Sequence, residues 1–423
     1  MLSLRWAGQF STLLLFLNAC TIIVLIHYWP SQNLPGSRPG FCNVCGPEDV
    51  FCHKYGLHLL ARSRGFEGAN ARFHRVLRDA QAGKAMKTGG SVTVGRGVVE
   101  SEQWLQVFGA WWKSQFTGEL QIQNGAVPAT GAGHFGMCFK EHIDEDVDLI
   151  ITEFAINDQR VEESAESYEL LLRQLLELPK RPAVLNLQDL HTAIAEYYDS
   201  PMISLRNALL PQLEASRASF KTFFVNNPDG SIDALHINAK GHRMAGELLA
   251  AYTQRQICAM TRQATFASEH LFGNSEASQL LLDLDKIPSH LLFSSINDPP
   301  AQVLDPYCSS TRTSRHPLIP EFNDGRWSNC PVLVRGGGMG RVRMRYLRSK
   351  QYGLGIARCW LDDDTSHEFK VDGYWGYPMS IAVSAVLARN ASISEHMLWC
   401  DMTSQTSSPD GRTEFRFIGV HSA

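Results

Sequence analysis

The chain has 423 residues, a length that favours a core domain with a second module. It is 44% hydrophobic and 19% charged, with a formal net charge of −4, as is ordinary for a globular protein. No long basic run or strongly positive total occurs, so the composition argues against a nucleic-acid partner.

Residues 1–30 predict a signal anchor. Positions 11–29 hold no Asp, Glu, Lys or Arg, and about 20 such residues cross a bilayer as a helix. Arg5 lies before this stretch, and Tyr28 and Trp29 lie at its far edge, which favours a single-pass helix with a cytoplasmic N-terminus. A cleaved signal peptide is the alternative and would give a secreted protein. In both cases the remaining chain is expected in the secretory lumen, in the Golgi or at the cell surface.

The cysteine content agrees with that compartment. An oxidising lumen pairs most cysteines as disulfides, and the odd number beyond Cys20 leaves one free or intermolecular. Cys42, Cys45 and Cys52, with His53, also have the side chains that bind zinc. Since no second CxxC follows, a disulfide knot is the favoured interpretation. The further cysteines are Cys138, Cys258, Cys308, Cys330, Cys359 and Cys400.

Between residues 61 and 260, short apolar runs alternate with amphipathic stretches. The runs at 147–151 and 183–187 predict buried strands, and the stretches at 101–116, 164–178 and 238–258 predict helices. Strands that alternate with helices imply a parallel sheet covered on both faces. This segment is therefore expected to form a three-layer α/β/α domain.

The segments on either side of residues 61–260 differ from it in composition and pattern. Residues 31–60 are rich in Pro, Gly and Cys and predict a stalk or a disulfide-tied lead-in, and 261–300 predict a linker. From 301 to 423, short alternating segments separated by Gly, Asp, Asn and Ser predict an antiparallel β-sandwich. This module also holds a glycosylation sequon at Asn390, which is usable only in a lumenal chain.

Two groups of side chains in the β-module allow both a structural and a ligand-binding interpretation. Arg341, Arg343 and Arg345 alternate with apolar residues, which predicts the solvated face of a strand before an anion site. The tryptophans suit the sandwich core, with sugar stacking as the alternative. They are Trp327, Trp360, Trp375 and Trp399.

Ser91 is the best candidate nucleophile. It lies in the Gly-rich stretch 89–95 ahead of a helical segment, where a hydroxyl can project at the carboxyl edge of a parallel sheet. Backbone N–H groups at the start of a helix can stabilise an oxyanion nearby. Thr93 stands where the GxSxG elbow of α/β-hydrolases needs Gly, so the stretch is not that motif.

Two further motifs follow along the chain. Asn157 comes after the predicted strand 147–151, so its amide is expected at the same sheet edge, as an oxyanion donor or as a turn residue that caps the next helix. Asp233 lies three residues before His236, a spacing at which a carboxylate can orient an imidazole that acts as general base. His242 lies on the following helix and is interpreted as structural.

The same spacing recurs at Asp364 and His367, inside the predicted β-module. That pair follows an acidic run and precedes no helix, so a solvated turn is predicted there. Its presence shows that D-x-x-H also arises by chance. The histidines for which the sequence indicates no partner are His134, His142 and His191.

In chain order, the Ser91, Asn157 and Asp233–His236 motifs resemble those of the SGNH (GDSL-like) hydrolase superfamily over residues 80–257. The combination is specific, although no single motif is. The resemblance implies a flavodoxin-like α/β/α domain with Ser91 as nucleophile, His236 as base, Asp233 as its orienting partner and Asn157 as an oxyanion donor. It is greatest for membrane-anchored or secreted members with a C-terminal β-sandwich, which are associated with acetylated glycans.

Three positions depart from that family's pattern. Gly90 replaces the Asp that precedes the nucleophile, and Ala155 replaces the Gly of the G-x-N-D block. In the block that begins at Asn124, Ala129 stands where the family usually places its oxyanion-hole Gly. A backbone N–H can come from Ala as well as from Gly, so the resemblance implies Ala129 as a second oxyanion donor.

These residues lead to three functional hypotheses. The first is a serine esterase that removes acetyl or similar acyl groups from a glycan, with an acylated carbohydrate as substrate and without a metal or organic cofactor. The second is a glycan O-acyltransferase that uses the same triad. The third is a non-catalytic glycan-binding membrane protein on a decayed hydrolase scaffold, supported by Gly90 and by the poorly apolar segment 84–88.

Overall fold

The computed structural model describes residues 40–91, 95, 97–269, 286–304, 306–313, 315–319, 322–323, 328–333, 340–377, 380–392 and 394–422. Residues 90–91, 263–269, 322–323 and 328–333 are described by their backbone alone. The predicted anchor at 1–30 lies outside these ranges. Among the helices that are described, none is long and apolar enough to cross a bilayer.

A six-stranded sheet forms the centre of the first domain. Its strands are β1 (Arg64–Phe66), β2 (Met86–Ser91), β3 (Leu120–Asn124), β4 (Leu149–Thr152), β5 (Ala183–Asn186) and β6 (Met202–Ile203). The order is β1-β6-β5-β4-β2-β3, and neighbouring strands are parallel except for β1 with β6. Counted from β2, the parallel strands follow the order 2-1-3-4-5 of flavodoxin-like folds.

Helices cover both faces of this sheet. They are α1 (Val50–Tyr55), α2 (Leu57–Arg62), α3 (Ala71–Gln81), α4 (Trp104–Gln115), α5 (Ala132–Cys138), α6 (Glu162–Glu177), α7 (Thr192–Tyr197), α8 (Leu205–Ala215), α9 (Ala218–Phe223) and α10 (Ala239–Glu269). The helices predicted at 101–116 and 164–178 form as α4 and α6. The helix predicted at 238–258 forms as α10 and continues to Glu269.

Apolar side chains of the central strands point alternately to the two helical layers. Leu149 and Ile151 of β4 pack with α3, α4 and α10, whereas Ile150 packs with α5, α6 and α7. Burial on both faces is what the alternation of strands and helices predicts. Where α4 and α10 cross, a Cβ atom on Gly246 would lie 2.6 Å from the carbonyl oxygen of Trp104, so the residue must be Gly.

The poorly apolar segment at 84–88 nevertheless supplies the central strand β2. Met86 and Thr88 are buried, and Lys87 is accommodated because its ammonium pairs with Asp144 and, at 2.8 Å, with Asp146. These partners are distant in sequence, so the apolar pattern alone underestimates the strand.

Residues 40–62 pack onto the first domain. Phe41, Phe51 and Leu59 are buried in its core, and a disulfide ties Cys42 to Cys258 of α10. Cys42, Cys45 and Cys52 are all in disulfides, so the zinc alternative is wrong for them. The disulfides are Cys42–Cys258, Cys45–Cys52, Cys138–Cys308 and Cys359–Cys400.

The second domain consists of two antiparallel sheets. Its strands are β9 (Tyr307–Ser310), β10 (Phe322–Asn323), β11 (Ser328–Leu333), β12 (Val342–Arg348), β13 (Ile356–Leu361), β14 (Phe369–Asp372), β15 (Ile381–Ala388), β16 (Glu395–Met402) and β17 (Phe417–Ser422). The sheet orders are β10-β11-β16-β13-β14 and β15-β12-β17-β9. Val342 and Met344 from one sheet and Leu398 and Cys400 from the other share one core, as in a β-sandwich.

Of the three arginines predicted on a solvated face, Arg343 and Arg345 lie in β12 and do not face water, so that prediction is wrong for them. Arg343 and Arg345 alternate with the core residues Val342 and Met344 and therefore point away from the sandwich core. This outer face packs against α5 of the first domain, and Arg345 is only 2% exposed. The alternation along β12 predicts the face correctly, but the first domain takes the place of water on it.

Two buried histidines, His134 and His421, and a partly buried one, His142, lie where the two domains meet. Nε2 of His134 on α5 lies 2.9 Å from Nε2 of His142, so one ring donates and the other accepts. His421 on β17 lies across from Arg343. Burial lowers the pKa of His142 to about 4 and holds the pKa values of His134 and His421 well below the usual 6.5, with Arg345 adding to the effect at both. These imidazoles are therefore neutral at pH 7.

We expect the protein to lose thermal stability as the pH falls from about 6.5 to 5. Each of these three imidazoles has a folded-state pKa below its unfolded value, so the unfolded chain binds more protons in this window and is favoured as pH falls. His142→Asn should flatten the dependence of Tm on pH, measured by scanning calorimetry. His367→Asn, whose ring is 83% exposed, is the control and should leave the slope unchanged. An unaltered slope in His142→Asn would contradict this account.

Candidate active site

Ser91 ends β2 at the carboxyl edge of the parallel sheet. Its backbone pairs with Thr152, the last residue of β4. Because β2 lies between β3 and β4, the direction of strand order reverses here. Open α/β sheets form their ligand crevice at such a switch point. Ser91 therefore occupies the position along the sheet that favours a site.

A buried hydrogen-bond network holds this edge together. Thr152 Oγ1 donates to Asn186 Oδ1 at 2.9 Å, and Asn186 Nδ2 donates to Ser200 Oγ at 2.8 Å. The Tyr168 hydroxyl donates to the same Asn186 oxygen. Since all four side chains are buried, losing any of these bonds would leave an unpaired polar group, so the ends of β4 and β5 are fixed.

Asp233 and His236 come together in the hairpin of β7 (Phe224–Asn226) and β8 (Ile232–Ile237). Val225 pairs with Asp233 while Phe224 pairs with Ile237, so the residues between bulge out of the ladder. The bulge places His236 Nδ1 at 2.7 Å from Asp233 Oδ2. The side chain of His236 remains 37% exposed and that of Asp233 only 10%.

The Asp233 carboxylate is arranged to orient the ring. Its Oδ1 accepts the N–H groups of Leu235 at 3.1 Å and His236 at 3.2 Å. Burial alone would raise the pKa of Asp233, but the hydrogen bonds from His236 and Leu235 outweigh it and hold the pKa below the usual 3.8. The carboxylate is therefore ionised at neutral pH. A proton on Nδ1 is then favoured, which leaves Nε2 to act as a base.

The second D-x-x-H pair has the same local geometry. His367 Nδ1 lies 2.7 Å from Asp364 Oδ2, on a short 3-10 turn of the sandwich domain. Its side chains are 83% and 53% exposed, so this is the solvated turn that the sequence predicts. The hydrogen-bond distance does not distinguish the two pairs, whereas burial does.

Asn157 follows β4 and contacts the loop that precedes α5. Its Nδ2 donates to the carbonyl of Thr130 at 3.1 Å. Helix α6 begins at Glu162 with Val161 at its N-cap, so Asn157 does not cap it. Of the two roles that the sequence allows for Asn157, helix capping is therefore wrong.

Ala129 lies in the same loop and has a φ of 56°, in the left-handed region that favours Gly. This conformation costs an Ala residue roughly 1–2 kcal/mol. The backbone thus takes a Gly-type conformation at the position where the resembling family has Gly, although the residue is Ala. Ala129 directly precedes Thr130, whose carbonyl accepts the hydrogen bond from Asn157.

A carboxylate that the sequence analysis missed lies beneath this loop. Asp158 Oδ1 accepts the N–H of Ala132 at 2.7 Å, and its Oδ2 lies 2.8 Å from His191 Nε2. The side chains of Asp158 and His191 are 4% and 3% exposed. The ring of His191 also stacks on Tyr168. Asp158 follows β4 and His191 follows β5. The carboxyl ends of neighbouring parallel strands meet at one edge of the sheet, so these positions in the sequence could have predicted that the two residues lie close together.

A cavity of about 360 Å³ opens beside His236. Glu153 lines it and directly follows Thr152, the strand partner of Ser91, so the cavity lies at the carboxyl end of β4, the strand next to β2. Apolar side chains such as Leu205 make up much of its wall. A concave, mainly apolar space with a few polar groups is typical of small-molecule sites.

The described tryptophans of the second domain do not lie in its core, so that prediction is wrong for them. Trp360 and Trp399 are cross-strand neighbours on the face that points away from the core, because they alternate with its buried residues. Trp375 lies 5.6 Å from the guanidinium carbon of Arg348. All three are half-buried, and Trp327 lies outside the described residues.

An α/β domain with an edge cavity, joined to a β-sandwich, is the class of protein that these observations define. A two-domain esterase (CEX) active on acetylated mannans has this fold, with a TM-score of 0.59 over 86% of this chain and 98% of that one, at 16% identity. Its crystal form with mannopentaose gives a TM-score of 0.58 at the same identity, over 86% of this chain and 97% of that one.

A third structure, the acetyl xylan esterase AlAXEase, covers 39% of this chain and 98% of its own at 12% identity, and its TM-score of 0.33 carries no weight. Neither a protein-family model nor the sequence of a curated protein matches the chain. At these identities the comparisons establish the two-domain fold alone.

We expect Ala129→Gly to stabilise the protein. Gly removes the cost of a left-handed Ala, roughly 1–2 kcal/mol, and this exceeds the added freedom of Gly in the unfolded chain, about 0.4–1 kcal/mol. The midpoint of urea unfolding should therefore rise. Ala126→Gly is the matched control, because Ala126 is nearby and lacks a positive φ. It should lower the midpoint, and an equal decrease in Ala129→Gly would refute the left-handed conformation.

Proposed function

We propose that the protein is a serine esterase that removes acetyl or similar acyl groups from a glycan. The observation that carries the proposal is the 2.7 Å hydrogen bond between Asp233 and His236, beside a cavity at the sheet edge where Ser91 ends β2. The similarity in fold to an esterase active on acetylated mannans supports an acylated carbohydrate as substrate.

In the proposed reaction, the hydroxyl oxygen of Ser91 attacks the acyl carbonyl carbon while His236 Nε2 takes the hydroxyl proton. The ester C–O bond then breaks, and His236 returns the proton to the sugar oxygen. Water attacks the acyl-enzyme and gives a proton to His236, which passes it to Ser91 as the carboxylic acid leaves. Asp233 stays ionised throughout and stabilises the imidazolium.

The proposed oxyanion donors are the backbone N–H of Ala129 and the side-chain amide of Asn157. Their relative position is set by the hydrogen bond from Asn157 to Thr130, which leaves the amide a second N–H. Donors held in place before the reaction stabilise the developing charge without reorganising. The conformation of the loop therefore affects how well the oxyanion is stabilised in the proposed reaction.

We further propose that the enzyme faces the secretory lumen or the cell exterior, either as a single-pass membrane protein or in secreted form. The disulfides in the described part of the chain support an oxidising compartment. The predicted anchor at 1–30 would supply attachment to the membrane.

Labelling with a fluorophosphonate probe tests the nucleophile. The purified full chain should be labelled at Ser91 and should release acetate from acetylated mannan. Ser91→Ala and His236→Ala should each lower the rate of acetate release by about 10³-fold or more, because the members of a triad act as a unit. Acetate is quantified by NMR and labelling by peptide mass spectrometry.

His367→Ala is the matched control, since His367 has the same spacing and distance to its aspartate. It should keep the wild-type rate. Labelling that persists in Ser91→Ala, or equal losses in the two histidine variants, would contradict the triad. Acetyl transfer to an added acceptor glycan in preference to water would identify the acyltransferase. Glycan binding without acetate release or labelling would identify the non-catalytic alternative.

A further inference from the structure

We infer that the β-sandwich domain is part of the catalytic apparatus, in which Arg345 and Ala382 position the loop 128–131 that carries Ala129. The inference rests on the proposed esterase activity, because the conformation of this loop affects chemistry only if an oxyanion forms beside it. Arg345 acts through its neighbours and is therefore a positioning residue.

The sandwich reaches the loop through a short chain of hydrogen bonds. Arg345 Nη2 donates to the carbonyl of Ala382 at 3.2 Å. The N–H of Ala382 in turn donates to the carbonyl of Ala129 at 3.4 Å. One residue of the edge strand β15 thus connects a buried guanidinium to the residue with the left-handed backbone.

Successive carbonyl groups of the loop each accept a hydrogen bond. The carbonyl of Pro128 accepts the Thr130 hydroxyl at 3.0 Å, that of Ala129 accepts Ala382, and that of Thr130 accepts Asn157. In a trans peptide the N–H points opposite to the C=O, so fixing each carbonyl also fixes the direction of the next N–H. The carbonyl of Pro128 sets the N–H of Ala129, and the sandwich holds the peptide that follows.

Arg345 occupies a defined, buried position between the two domains. It is 2% exposed, and its described hydrogen-bond partners are Ala382 and the Ser384 hydroxyl at 3.4 Å. Within the described part of the chain, no carboxylate lies at ion-pair distance. Burial lowers its pKa to about 10, and the negative charge of Asp158 opposes that effect. Taking a cation out of water costs free energy unless nearby groups compensate its charge, so the buried guanidinium of Arg345 depends on specific contacts.

Asp158 holds the opposite side of the loop. Its Oδ1 accepts the N–H of Ala132, and a Cβ atom on Gly131 would lie 2.0 Å from that oxygen, so a larger residue there would displace the carboxylate. Nη1 of Arg345 lies 3.4 Å from where a Cβ of Gly133 would be, one residue beyond Ala132. The start of α5 is therefore held between a carboxylate of the first domain and a guanidinium of the second.

The far end of α5 is attached to the same sheet. A disulfide joins Cys138, the last residue of α5, to Cys308 of β9. Cys308 pairs with His421 across the sheet, and His421 pairs with Arg343, so these residues share the outer face that carries Arg345. A binding module that acted independently would need neither the disulfide nor the contacts to the loop.

Arg345→Met in the full chain tests the inference. We expect kcat for acetate release to fall about 10- to 100-fold while KM changes less than about threefold, since misplaced donors weaken transition-state binding more than substrate binding. Fluorophosphonate labelling of Ser91 should slow by a similar factor. Arg345→Lys keeps the charge and should recover part of kcat, which a loss of packing alone would not predict.

Arg343→Met is the matched control, because Arg343 lies on the same strand and face. None of the hydrogen bonds described for the loop 128–131 involves it, so this variant should keep kcat within about twofold. Ala382→Pro removes the N–H that binds Ala129 and should lower kcat as Arg345→Met does. It also provides the test if Arg345→Met does not fold.

Wild-type kcat in a folded Arg345→Met or Ala382→Pro variant would overturn the inference, as would an equal loss in Arg343→Met. The proposed function would fail in a different way, because the wild-type chain itself would then neither release acetate nor be labelled at Ser91.

Discussion

The coverage of the central sheet on both faces is the constraint on which the rest of the structure depends. Side chains along β4 and β5 point into two apolar layers, so the middle of these two strands leaves no place for reactive polar groups. Polar residues collect where the strands end, as Ser91, Thr152 and Asn186 do. The order of the strands reverses at β2, which Ser91 ends, and His236 of the hairpin of β7 and β8 lines the cavity at the carboxyl edge of the sheet.

The two D-x-x-H segments show how little a short motif means without its surroundings. The hydrogen bond between Asp and His forms at the same distance in both, because four consecutive residues can close it by themselves. The pair at Asp233 and His236 differs in being partly withdrawn from water beside a cavity. A carboxylate that is shielded from water interacts more strongly with an imidazolium, which is the property that a catalytic base requires.

The boundary between the domains is polar, with a buried arginine, neutral histidines and a disulfide. Apolar surfaces tolerate sliding, whereas buried hydrogen bonds are satisfied in few arrangements. A contact of this kind suits a domain that must hold a neighbouring loop in one conformation, as inferred for Arg345 and Ala129. The same chemistry makes the boundary sensitive to protonation, because burial lowers the pKa of these histidines and so disfavours their charged form.

The sequence by itself determined the main helices and strands and the parallel sheet with two helical layers. It also determined the short alternating strands of the β-sandwich and the local pairing of Asp233 with His236. These depend on periodicity and short-range spacing, which the chain carries locally. The tertiary structure alone decided that Arg345 is buried, that Trp360 and Trp399 lie on an outer face, and that Asp158 meets His191. Periodicity shows which face of an element is polar, but only the packed structure shows whether water or another domain covers that face. Ala129 illustrates the same limit, because its left-handed backbone is held by Thr130 and by a strand that follows it by more than two hundred residues.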